Sequence, residues 1–187
     1  MRTMLGTAAL LAFAACSSIA AHELQENRVT LVQRDASFVS ITLHIDLPAA
    51  LHRAIAPQRS FEEFALAHAD LPPAAFKAVL VRAASRMQAE MQVTAAKGQA
   101  LAFERWDWPD AARVQAALLE RLMETVVARG GHSHMVPWEV RAELHSPVPV
   151  TALRVKFTPA FGRVMVVSYR PRQVWVDASA MSSAITF

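Results

Sequence analysis

The chain has 187 residues, 53% of them hydrophobic, and a formal net charge of +3 with a sequence pI near 9.6. That length suits one domain able to bury a core, and the scattered placement of Lys and Arg argues against a nucleic-acid footprint. The single cysteine, Cys16, falls in a removable leader, so a processed chain has no disulfide, no thiolate metal site and no Cys nucleophile.

The leader comes first in chain order. Arg2 supplies a positive n-region, Leu5 to Ala15 an apolar run, and Ser18-Ile19-Ala20 a small-residue cleavage site. The run is too short to span a membrane comfortably, and no later stretch reaches twenty uninterrupted apolar residues. Residues 1–20 therefore read as a signal peptide, and the mature protein, starting at Ala21 or His22, as periplasmic or secreted and not transmembrane. Phe13-Ala14-Ala15-Cys16 also resembles a lipobox, which gives the alternative of a lipoprotein anchored through Cys16.

Residues 21–177 read as a single α+β domain. Arg28 to Arg34 and Phe38 to Asp46 form an expected hairpin across Asp35-Ala36-Ser37. In the second strand Val39, Ile41, Leu43 and Ile45 should be buried, and Ser40, Thr42, His44 and Asp46 exposed. Two helical turns over Ala49 to Ala56 follow the Leu47-Pro48 break. Ser60-Phe61-Glu62-Glu63 is a capping box opening a helix with Phe61, Phe64 and Ala65 on its apolar face. Pro72-Pro73 opens a second helix, striped by Phe76, Val79, Leu80, Ala83 and Met87. Lys97-Gly98 marks a turn between Met91–Val93 and Leu101–Phe103, a small hairpin. Asp107-Trp108-Pro109-Asp110 begins a third helix, carried by Val114, Leu118, Leu122 and Val126 and stopped by Gly130-Gly131.

Four strands are expected after that. Trp138, Val140, Ala142 and Leu144 alternate with Glu139, Arg141 and Glu143, and Leu153, Val155 and Phe157 alternate with Arg154 and Lys156. Val164 to Tyr169 is apolar nearly throughout, which predicts a strand covered on both faces. Val174-Trp175-Val176 is a short last strand, and residues 178–187 form a frayed tail. Strands at both ends around helices predict an antiparallel β-sandwich-like core, with the N-terminal hairpin completing the C-terminal sheet and the helices as an insert.

Candidate site residues are few. His132 and His134, two apart after a Gly pair, can face the same way and hold one metal, but two ligands fill only half a tetrahedral shell. His22 beside a new amino terminus would chelate copper. Copper, nickel or zinc handling through His22, His132 and His134 is accordingly one alternative function. His44, His52, His68 and His145 read as surface or boundary histidines. Trp106 and Trp108 read as core anchors at a helix start, or else as the lining of a groove. No Gly-x-Ser-x-Gly elbow and no phosphate-cradling glycine loop occurs, so a hydrolase is a further alternative without an identified nucleophile.

Ala21-His22-Glu23-Leu24, Val29-Thr30-Leu31 and Ile45-Asp46-Leu47-Pro48-Ala49-Ala50-Leu51 resemble the exported N-terminal domain of HupE/UreJ-like membrane accessory proteins. Val164 to Tyr169 is similar to the strand that precedes their membrane part. The likeness covers about a third of the mature chain. No membrane helices follow Val176, and no functional residue is carried over. The resemblance implies an exported, β-rich accessory module acting beside a membrane protein as its partner, and the leading reading of the chain is a non-enzymatic binding or accessory module.

Overall fold

The computed structural model describes residues 27–96, 98–127 and 137–171. The leader with Cys16 and His22, the His132/His134 segment, Gly130-Gly131, the strand expected at Val174–Val176 and the tail lie outside the described residues.

Asp35 closes the first hairpin. Its carboxylate accepts the Ser37 and Phe38 amides, which hold its pKa below the usual carboxylate range. That turn fixes the register of β1 (Asn27–Gln33) against β2 (Phe38–Ile45), pairing Leu31 with Ile41 and Val29 with Leu43. Because side chains alternate, one register buries Val29, Leu31, Val39, Ile41, Leu43 and Ile45 together. β6 (Trp138–His145) continues the row from the other side of β2, burying Val140, Ala142 and Leu144. With β5 (Phe103–Asp107) outside β6, and β8 (Val164–Tyr169) outside β1, the order is β5-β6-β2-β1-β8. A second sheet holds β4 (Ala100–Leu101), β3 (Gln92–Ala95) and β7 (Leu153–Lys156), with β3 central and both pairings antiparallel.

The helices lie between the N- and C-terminal strands in sequence. In α1 (Leu47–Ile55) the Asp46 side chain caps the N-terminus and Pro48 occupies the first turn, where a missing amide hydrogen costs nothing. In α2 (Phe61–Ala69) the capping box is complete: Ser60 Oγ accepts from the Glu63 amide and Glu63 accepts from the Ser60 amide. α3 (Pro73–Glu90) buries Phe76, Leu80, Ala83 and Met87, and α4 (Ala111–Val127) buries Val114, Leu118 and Leu122. These side chains, with Leu47, Leu51 and Phe64, share one apolar cluster with the inner row of the five-stranded sheet. The result is the expected mixed α+β class: two mostly antiparallel sheets, sandwich-like and not a closed barrel, with the helices inserted between the strands.

Three polar contacts, one buried and two part-buried, tie β1 and the 158–161 segment to the helices. The Asn27 side chain accepts the Asp46 amide and donates to the Phe161 carbonyl, joining β1, α1 and the 3-10 turn at Pro159–Phe161. Arg53 Nε donates to the Ala160 carbonyl at 2.5 Å. Thr158 donates its hydroxyl to Glu90, and this bond holds the Glu90 carboxyl below its usual range.

Several expectations need correction. β8 is not covered on both faces: it is an edge strand whose sole partner among the described residues is β1, and the pairing is parallel. Val166 is 51% and Tyr169 58% exposed, because the strand lies at the sheet's margin. Its apolar composition records the wrong feature, since a margin position and a central one both tolerate β-branched residues. β7 does not join the sheet built on the hairpin; it pairs with β3 instead. Ser40, Thr42 and His44 are half-buried rather than exposed, for β1 and β6 flank them with Arg28, Thr30, Glu139 and Arg141 on the same face. Finally, Trp106 belongs to a strand, β5, and α4 begins only after Asp110, whose carboxylate accepts the Ala112 and Arg113 amides.

Candidate functional site

The site begins with an extra residue in β5. Glu104 pairs with Glu143, but the next pairing is Asp107 with Arg141, so three steps along β5 match two along β6. Arg105, with φ at +48°, absorbs the surplus as a β-bulge. Strict alternation would send Trp106 and Trp108 to the face opposite Phe103. The bulge changes that parity and gathers the three rings: Phe103 to Trp106 is 5.3 Å between centroids, and Trp106 to Trp108 is 5.8 Å, nearly parallel. Both tryptophans pack half-buried against the core cluster, so the core-anchor reading of the pair holds.

Trp108 also serves as a wall. Where β5 passes into α4, Asp107, Trp108, Pro109 and Arg113 face the start of β6, Pro137, Trp138 and Glu139, across a cleft of about 360 Å³. Two aromatic–proline pairs distant in sequence, Trp108-Pro109 and Pro137-Trp138, are thereby brought together. The flat, rigid apolar surfaces of Trp and Pro give contact area at little entropic cost. Arg113 lies with its guanidinium carbon 5.7 Å from the Trp138 ring centroid, a cation–π geometry. Among the described residues Arg113 and Asp107 form no ion pair, and both are exposed. Glu139 is held from outside the cleft by Arg141 and stands 3.8 Å from His44 Nε2. The Trp108 indole N–H is buried and finds no acceptor among the described residues.

The remaining histidines have local duties. His52 Nε2 lies 2.7 Å from the Arg59 carbonyl, and His68 Nδ1 2.7 Å from the Phe64 carbonyl, with both rings against Phe64. His145 stacks on Phe38 and sits 3.6 Å from Glu143. No group of three His, Cys, Asp or Glu side chains among the described residues is arranged to hold a metal ion. His22, His132 and His134 lie outside the described residues. Of the pair expected as core anchors or as a groove lining, Trp108 does line this cleft and Trp106 does not; the second wall, Pro137-Trp138, had no signal beyond its Trp and Pro composition.

Comparison with family models, with curated proteins and with solved structures found no match to this chain. No helix among the described residues is long and apolar enough to cross a membrane.

Proposed function

We propose that this chain is an exported, non-enzymatic binding or accessory module that grips an extended segment of a partner protein through the Trp108–Trp138 cleft. The observation that carries the reading is the cleft itself: two tryptophans and two prolines as walls, with charged groups at the rim. Aromatic-lined grooves of this composition suit extended peptides, whose side chains lie flat on the rings while their backbone stays solvated. Export rests on the leader read at Arg2, Leu5–Ala15 and Ser18–Ala20, and a membrane-protein partner on the resemblance around Ala21–Leu51.

Two measurements test it. Full-length protein made in an exporting host should yield a mature mass that begins at Ala21 or His22; an uncut Met1 removes the export argument, and a diacylated Cys16 replaces secretion by anchoring. For the cleft, short extended peptides of basic, acidic and neutral composition are titrated while the four indole N–H resonances are followed by NMR. At least one class should shift Trp108 and Trp138 saturably and more than Trp106. If no class does so, the cleft is not a peptide site and the reading fails.

A further inference from the structure

We infer that the cleft receives a basic side chain of that partner segment, and that Arg113 occupies the cation position on Trp138 until the partner displaces it. The inference rests on the binding reading above and adds the chemistry of the ligand. Three observations lead to it. The Trp138 face already holds a cation, Arg113, at cation–π distance, so the ring is presented in a geometry that a guanidinium fills. Arg113 is exposed and forms no ion pair among the described residues, so little retains it there. The rim carries two carboxylates: Glu139, already paired with Arg141, and Asp107, which forms no ion pair among the described residues. With Arg113 swung out toward solvent, the cleft becomes an aromatic wall with one uncompensated carboxylate, Asp107, at its rim. That is a complement to a cation and a poor host for an anion.

Arg113 is then a built-in competitor. A ligand cation must replace its cation–π contact, and the displaced guanidinium regains full hydration. An exposed contact of this kind is worth a factor of about two to five in an equilibrium constant. Removing Arg113 therefore tightens binding of a cation, whereas an anchoring role for Arg113 toward an acidic ligand predicts the reverse. The sign of the effect separates the two.

The experiment uses the full chain and N-acetyl-arginine amide as probe, with N-acetyl-aspartate amide and N-acetyl-glutamine amide as charge controls. Binding is read from the Trp108 and Trp138 indole resonances, and folding of each variant from far-UV circular dichroism. Arginine amide should shift both resonances and the controls should not. Arg113→Gln should tighten the arginine probe about two- to fivefold, Asp107→Asn should weaken it, and added salt should weaken it in every variant. Both substituted side chains are exposed, so the variants retain the fold. The inference is overturned if aspartate amide binds in preference, if Arg113→Gln leaves the arginine affinity unchanged or lowers it, or if arginine amide fails to bind. Should the acidic or neutral peptides still occupy the cleft, only the choice of a basic side chain is lost. If no peptide occupies it, the binding reading falls as well.

Discussion

Ile41→Asp should unfold the protein at room temperature, while Thr42→Asp, one residue along, should cost no more than about 1 kcal/mol. Ile41 is 1% exposed and sits at the middle of the buried row, paired with Leu31 on one side and Ala142 on the other. An aspartate there loses the burial of the isoleucine side chain, about 1.5–3 kcal/mol, and puts a carboxyl where no donor waits. Several kcal/mol more are required to bury it, and the sum approaches the 5–15 kcal/mol typical of a whole domain. Thr42 points the other way. Its cross-strand neighbours are Thr30 and Arg141, so a carboxylate meets a guanidinium and water, and the loss is that of a β-branched residue in a strand. Urea unfolding followed by circular dichroism measures both. Equal destabilisation by the two would mean that the inner and outer faces of β2 had been misassigned.

The faces of β1, β2 and β6 could be read from residues because burial there is one-sided. Val39, Ile41, Leu43 and Ile45 alternate without a break, and the structure places all four in the core. The same holds for the capping box at Ser60, a local hydrogen-bond pattern complete within four residues. Strand order was a different matter. Nothing in Leu153–Lys156 or in Val164–Tyr169 says which neighbour each will choose, since pairing is decided by where distant strands already lie. So β7 joins β3, and β8 runs parallel to β1 at an edge.

A groove at Trp108 was legible as an alternative, but its opposite wall at Pro137-Trp138 was not, for a related reason. Its two walls come from residues 107–113 and 137–139, joined in space only by the pairing of β5 with β6. The parity change that turns Trp106 and Trp108 to one side is made by Arg105, which takes a positive φ. That conformation is uncommon outside Gly, Asn and Asp, and the residue type gives no warning of it. A reader who counts by twos from Phe103 puts both tryptophans on the wrong face. Metal ligation by histidines has a recognisable spacing, whereas a cleft built from flat rings has none.

Asp46→Ala should cost about 2–4 kcal/mol, the largest loss expected from any residue outside the apolar core. The carboxylate has two tasks at once. Its Oδ1 accepts the Ala49 amide, capping α1, a contact worth about 1 kcal/mol. Both oxygens also accept from Arg121 Nη1, at 2.6 and 2.7 Å, fixing the middle of α4 to the β2–α1 corner. The pair is mostly shielded: the Asp46 side chain is 14% exposed, that of Arg121 29%, and the guanidinium packs on the Phe61 ring at 4.8 Å. Removing the carboxylate leaves Arg121 without its counter-ion in a poorly hydrated place. Breaking a fully buried pair costs about 3–5 kcal/mol, and the residual exposure of Arg121 reduces that. Arg53 adds to the strain, because burial pushes its pKa below the usual arginine range and Asp46 is the charge that opposes this shift. Asp46→Asn keeps an oxygen for the cap and loses the charge, so it should recover about 1 kcal/mol relative to Asp46→Ala. Arg121→Met keeps an apolar stem against Phe61 and removes the stranded cation. The double variant Asp46→Ala/Arg121→Met should therefore be more stable than Asp46→Ala alone, with a coupling of about 1–3 kcal/mol in a urea-unfolding cycle. Strict additivity of the two single changes would show that the contact contributes nothing beyond the helix cap. Because α4 also carries Arg113 about two turns upstream, the same variant offers a check on the cleft: if the corner fixes the helix, loosening it should broaden the Trp138 indole resonance, whereas an unchanged line would confine the role of Asp46 to stability.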